Sequence, residues 1–214
     1  MKRVWVLAAA LVFGFCGLVL ACDRQVEDFS KFEDGAFPTG WGTRPKSGQS
    51  EFKVRKASEA YLEAKSAGTA VRIAKRFSYD LRECPFLSWQ WRVIEPPQGG
   101  DERRRRTGDS GAAVYVILEG IGWPKTIKYV WSGRLKVGTR LRSPFDSKTK
   151  MVVLRNHKSP LNVWLSEKVN VYEDLKRFFP EESGEVRGIA LMTDSDNTKS
   201  RAEAHYKNIA ISAK

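Results

Sequence analysis

Five residues near the C-terminus, Asp194-Ser195-Asp196-Asn197-Thr198, are the densest run of potential ligand groups in the chain. Asp194, Asp196 and Asn197 offer hard oxygen donors at short spacing, which is what Ca²⁺ takes. Asp and Asn also make turns through hydrogen bonds to their own backbone. The segment therefore reads as a corner between strands, as a polar cluster facing a ligand, or as a structural Ca²⁺ site on Asp194 and Asp196; no other cofactor is expected. An EF-hand is excluded, because Lys199 stands where its glycine belongs and His205 where its bidentate glutamate belongs.

Other reactive residue types do not assemble into a catalytic set. Gly108-Asp109-Ser110-Gly111 has the local pattern of a serine-protease nucleophile, but both histidines, His157 and His205, lie downstream, against the required chain order. The segment is read as a turn entering a strand. Cys84 precedes a proline and a core strand and is read as a buried structural cysteine. A glycoside hydrolase would need two carboxylates facing one groove, about 5–9 Å apart. Asp109, Glu119, Asp194, Asp196 and Glu203 are placed to try, with no pairing legible, so no catalytic residue is assigned.

Two further groups suit binding. Arg103, Arg104, Arg105 and Arg106 concentrate positive charge in a polar loop, either as a solvated face or as a contact for anionic phospholipid or an acidic glycan. Sugar sites combine an aromatic platform with a few polar groups. Trp89, Trp91, Tyr129 and Trp131 supply aromatics, with the core as their favoured place. Gln90 and Arg92 alternate with the first pair and face the other way. The expected ligand contacts are Gln90, Arg92, Asp109, Tyr129, Trp131, Asp194, Asp196 and Asn197.

The elements that must position these groups are short. Residues 87–94 (LSWQWRVI) alternate strictly and form the clearest strand. Residues 51–55, 70–73, 112–118, 126–131, 151–155, 163–166, 188–193 and 207–212 read as further strands, and 58–67 as a strand edge or a helical turn. Residues 171–179 carry Val171, Leu175, Phe178 and Phe179 at helical spacing, and Pro180 stops them. Many short strands with one short helix predict an all-β antiparallel β-sandwich.

Length and charge bound the rest. The 214 residues suffice for one domain with a sizeable core, and Trp 7, Tyr 6 and Phe 11 exclude a disordered chain. A formal charge of +12 favours acidic partners. Lys2 and Arg3 precede an uncharged apolar run over residues 4–21, the pattern of an export signal. Val19-Leu20-Ala21-Cys22 resembles a bacterial lipobox, which implies lipid attachment at Cys22 and a membrane anchor. Ordinary cleavage and an uncleaved anchor are the alternatives, and a Cys22–Cys84 bridge is a minor one. Asp23 resembles a residue that retains lipoproteins at the inner membrane. The expected organisation is a signal peptide at 1–21, a tether at 22–30 and one domain at 31–214, on the periplasmic side of a membrane. Export also argues against a nucleic-acid partner.

Six ordered segments together resemble domain-of-unknown-function family 3047: residues 37–41, 89–93, Gly108-Asp109 before Val114-Tyr115-Val116, 129–131, 192–198 and 202–206. The resemblance runs from about residue 29 to the C-terminus. It implies an exported bacterial protein with a jelly-roll layout of the galactose-binding-like kind, many of which bind carbohydrate. This chain departs from the family pattern, with Ser110 in place of a second Asp after the Gly-Asp pair and Ala113 or Val114 in place of an Arg. The expected function is a non-catalytic binding module for carbohydrate or another anionic envelope polymer. A protein-interaction role and a jelly-roll glycoside hydrolase are the alternatives.

Overall fold

The computed structural model describes residues 22–214 apart from Arg44, Ile121 and Gly122. The signal peptide expected at 1–21 lies outside the described residues. Among those described, no helix is long and apolar enough to cross a membrane.

In chain order the strands are β1 (Arg24–Glu27), β2 (Trp41–Thr43), β3 (Phe52–Lys56), β4 (Ala60–Ala67), β5 (Ala70–Asp80), β6 (Phe86–Glu95), β7 (Ala112–Leu118) and β8 (Thr126–Ser132). Then follow β9 (Arg140–Arg142), β10 (Thr149–Asn156), β11 (Leu165–Asn170), the helix α1 (Val171–Phe178), β12 (Glu185–Asp194) and β13 (Arg201–Ser212). One sheet runs β11-β6-β13-β4-β3, with β1 also on β13; the other runs β2-β5-β12-β7-β8-β10-β9. The fold is the expected jelly-roll β-sandwich with one short helix.

Period-2 alternation sends one side of each strand between the sheets. Leu87, Trp89, Trp91 and Val93 of β6 are buried there, facing Ile127, Tyr129 and Trp131 of β8. Trp89 meets Trp91 edge-on at 5.3 Å and Tyr129 at 5.7 Å, and Trp91 meets Trp131 at 5.9 Å. Each such ring buries roughly 150–250 Å², worth about 4–6 kcal/mol of gross transfer free energy. Helix α1 closes one end of this core with Val171, Leu175 and Phe179. Asn170 caps it by accepting from the Glu173 N–H at 3.0 Å.

Three features differ from the sequence reading. The pairing is antiparallel except between β8 and β10, which run parallel. A parallel pair needs a long crossover, and residues 133–148 supply it, with β9 turning back to pair beside β10. Second, the expected tether contains β1, paired to β13. Glu27 of β1 is buried against Lys75 Nζ at 2.8 Å and accepts from Trp41 Nε1 at 3.3 Å. A short amphiphilic run carried no signal for this, because a buried ion pair spans residues far apart in sequence.

The third concerns cysteine. Cys84 is not a lone thiol: it is bonded to Cys22, with Cα atoms 5.7 Å apart, within the normal range for a disulfide. A sulfur in that bond carries no thioether, so this bond and the lipid expected at Cys22 are alternatives for one atom. On this pairing, Cys84→Ser in the mature chain should lower unfolding free energy by about 2–4 kcal/mol in denaturant titrations. A change below about 0.5 kcal/mol, with Cys22 carrying acyl mass, would instead place the lipid on that sulfur.

Candidate functional site

The outward side of the seven-stranded sheet carries the candidate site. Residues 133–148 build one wall, with Leu135 and Leu141 packed on a second apolar cluster of Ala113, Tyr115, Val130, Met151, Val153 and Ala190. Two adjoining cavities open there, about 580 and 260 Å³ in volume, and share Ala70, Arg72 and Met192. Together they form a groove crossing β5, β12, β7 and β8.

The larger cavity is lined by Arg72, Ala74, Lys75 and Arg76 of β5, Ile117 of β7, and Arg187 and Gly188 of β12. Gly188 sits at a register shift between β12 and β5, where a Cβ would stand 2.5 Å from the Lys75 carbonyl oxygen. Lys75 is taken by Glu27 and Arg187 by Glu119. Arg72 lies over the Tyr115 ring at 5.2 Å.

The smaller cavity has Tyr115, Lys128, Met151 and Met192 in its floor, Asp194, Asp196 and Asn197 on one side, and Phe145 and Asp146 on the other. Lys128 is buried. Burial alone lowers its pKa, but Tyr115, Asp194 and Glu102 together hold the amine above its ordinary value. Its Nζ donates to Ser110 Oγ at 3.3 Å. Burial raises the Asp194 carboxyl to about 6, against the opposing pull of Lys128 and of the Ser110 N–H, which donates to Asp194 Oδ1 at 2.8 Å.

The 194–198 turn joins β12 to β13 and is fastened from two sides. Asp109 accepts from the Asn197 N–H at 3.2 Å, the Thr198 N–H at 2.7 Å and Thr198 Oγ1 at 2.6 Å. Ser195 Oγ bonds Ser66 Oγ at 2.7 Å and accepts from the Gly68 N–H at 3.0 Å. Carboxylate oxygens of Asp109, Asp194 and Asp196 come within 4.8 Å of one another. Backbone N–H groups, a hydroxyl and the Lys128 ammonium already engage this cluster. The geometry therefore supports a corner with a ligand-facing edge more than the six to eight free oxygens that Ca²⁺ takes.

The expected ligand contacts separate into three places. Asp194, Asp196 and Asn197 line the groove together. Arg103, Arg104, Arg105 and Arg106 are exposed beside it; Arg105 Nη2 donates to the Phe145 carbonyl at 3.2 Å, and Arg103 pairs with Asp101. Asp109, Tyr129 and Trp131 are corrected as groove contacts. Asp109 is fully buried as the staple of the turn. Tyr129 and Trp131 face the core, with Tyr129 OH donating to Asp174 Oδ2 at 3.1 Å. Ser110 is also fully buried, so it offers no nucleophile.

Gln90 and Arg92 lie on the outward side of the other sheet. Gln90 bonds Ser166 and Asn208. Arg92 is flanked by Trp164 at 4.7 Å and Tyr61 at 5.3 Å and donates to His205 Nδ1 at 3.0 Å. Arginine has no acceptor, so His205 carries its proton on Nε2 and donates to Glu203 Oε1 at 2.9 Å. Lys65 bridges Glu203 and Glu63, each at 3.4 Å, so this carboxylate pair is neutralised rather than poised. The residues that sequence reading missed are Arg72, Arg76, Lys128 and Phe145. Alternation places Arg72 and Lys128 on outward faces, since each stands between buried neighbours, but not on a common groove.

Among curated proteins none matches the chain. Solved structures similar to it include a carbohydrate-binding module specific for non-crystalline cellulose, CBM28 (13% identity, 90% of this chain and 98% of that one, TM-score 0.46). Others are Trichoderma harzianum endoglucanase 3 of family GH12 (10% identity, 88% and 96%, TM-score 0.44) and a Bacillus licheniformis family 12 xyloglucanase (9% identity, 87% and 90%, TM-score 0.44). The profile of the family described as "Protein of unknown function (DUF3047)" matches residues 40–210, most of the sequence, and the chain belongs to that family.

Proposed function

We propose that the chain is an exported binding module that holds an acidic polysaccharide along the groove of the seven-stranded sheet. One observation carries this reading: the larger cavity is lined by the basic residues Arg72, Arg76 and Arg187, with the backbone of Lys75, and by no carboxylate. Lys75 and Arg187 answer Glu27 and Glu119, which leaves Arg72 and Arg76 for a ligand. Ala74, Ile117 and Met192 between them offer apolar floor for sugar-ring faces. The exposed arginines at 103–106 extend the positive field past Phe145. Spaced cations along an open groove suit a chain polymer better than a single lipid headgroup. The role is binding rather than hydrolysis: Asp194 is coupled to Lys128 and Asp109 is spent on the turn.

The reading includes export to the periplasmic side of the membrane, directed by residues 1–21. The Cys22–Cys84 bond supports it, since disulfides persist in oxidising compartments.

Arg72→Glu and Arg76→Glu should each weaken binding to polygalacturonate at least about tenfold, or ~1.4 kcal/mol, in affinity electrophoresis. Raising ionic strength should weaken the parent protein as well, while neutral glucans should not retard it. Equal retardation by neutral and acidic polymers, or an unaffected Arg72→Glu variant, would sink the proposal.

Asp194 gives a pH signature. Its folded pKa of about 6 lies above the ordinary 3.8, so between these values the folded state holds the extra proton. Its contribution to stability is therefore greatest below about pH 4 and declines as pH rises to about 6, by up to about 3 kcal/mol. Asp194→Asn should remove that slope from denaturation curves measured across the window. An anionic ligand should favour the protonated carboxyl, so affinity should rise from pH 7 to pH 5 in the parent and stay flatter in Asp194→Asn.

A further inference from the structure

The two cavities of the groove adjoin but differ in charge. The larger is lined by Arg72, Arg76 and Arg187 and by no carboxylate. In the smaller, three carboxylates, Asp146, Asp194 and Asp196, accompany two cations, Arg72 and Lys128. Lys128 lies buried in the floor with its Nζ donating to Ser110 Oγ at 3.3 Å, and Arg72 is shared with the larger cavity. A ligand carboxylate that suits the larger cavity therefore meets excess like charge in the smaller. A polymer lying across both fits best with acid at the first and an uncharged group at the second.

The lining gives the character of that group. Pro144, Phe145, Met151 and Met192 supply apolar surface. Across from Phe145 stands Asn197, whose Nδ2 donates to Asp196 Oδ1 at 2.5 Å and whose side-chain oxygen has no partner among the described residues. An amide side chain both donates and accepts, which matches the N–H and C=O of an acylamino group. The wall is also preformed. Ser143 Oγ accepts from the Phe145 N–H at 3.2 Å, and Asp146 Oδ1 accepts from the N–H groups of Lys148 at 2.8 Å and Thr149 at 2.7 Å. A Cβ on Gly108 would stand 2.6 Å from Phe145 Cε2, so the ring rests on that segment only because a glycine is there. Phe145 is thus held in place while 44% exposed.

We propose that the smaller cavity takes the acylamino group of an amino sugar, so that the polysaccharide in the groove alternates a uronic acid with an N-acylated amino sugar. The uronate lies by Arg72 and Arg76, the acyl methyl against Phe145 and Met192, and the amide against Asp196 and Asn197. This rests on the groove reading above and narrows it. A polymer with a carboxylate on every ring would set one of them against Asp194 and Asp196.

The test is affinity electrophoresis of the mature chain through hyaluronate, which alternates glucuronate with N-acetylglucosamine, and through polygalacturonate. It is run at a pH well above the Asp194 value of about 6, so that all three carboxylates are charged. Hyaluronate should bind at least about tenfold tighter, although it carries fewer carboxylates per ring. Phe145→Ala, its fold checked by an unchanged denaturation midpoint, should bring the two affinities together. Hyaluronate stripped of its acetyl groups should lose the advantage. Equal affinities in the parent, tighter binding of the deacetylated polymer, or a preference intact in Phe145→Ala overturns this proposal and leaves the groove reading standing. Retardation by neither polymer overturns the groove reading, and this one with it.

Discussion

The contact of Trp89 and Trp91 with Tyr129 and Trp131 is the constraint on which the rest of the molecule depends. It clamps the middle of one sheet to the middle of the other. Because side chains alternate along a strand, setting these rings inward sets Lys128 and Val130 outward on β8, and Gln90 and Arg92 outward on β6. A one-residue slip would exchange the two sets. The groove floor and the Arg92 cluster are thus both consequences of where the large rings are buried.

The groove differs from a plain sheet face because of the parallel crossover. Residues 133–148 leave β8, pass beyond β10 and return through β9, which brings Leu141 and Phe145 over the outward face. This wall excludes water from Lys128 and Asp194, so each shapes the other's protonation. A buried lysine is costly unless it is compensated, and Asp194, Tyr115 and Glu102 provide that compensation. The same desolvation raises the Asp194 carboxyl to about 6. Cation and carboxylate are kept as a coupled pair at one end of a groove whose other end is lined by basic and apolar residues and no carboxylate.

The 194–198 turn takes its shape from Asp109, which lies a long way off in sequence. Its carboxylate is used up on backbone N–H groups of Asn197 and Thr198 and on the Thr198 hydroxyl. Asp196 and Asn197 are thereby presented to the groove while Asp109 is withdrawn from it. The two segments that stood out in sequence, Gly108–Gly111 and Asp194–Thr198, are halves of one structural device.

The sandwich was legible in the sequence because hydrophobic alternation is local: β6, β7, β8 and β12 can each be read from a few neighbouring residues. The helix was legible from Val171, Leu175 and the stop at Pro180. Asp194, Asp196 and Asn197 were legible as site residues because their cluster is local too. Arg72, Arg76 and Lys128 were not, since nothing short-range says that β5 and β8 share one sheet with β12 and β7 between them. Tyr129 and Trp131 were misassigned to a ligand because composition does not distinguish an aromatic platform from an aromatic core. Only tertiary structure decided those points, along with the β1 pairing, the parallel crossover and the Cys22–Cys84 bond. Each is a contact between residues distant in sequence, whose energy depends on what lies opposite rather than on what lies beside.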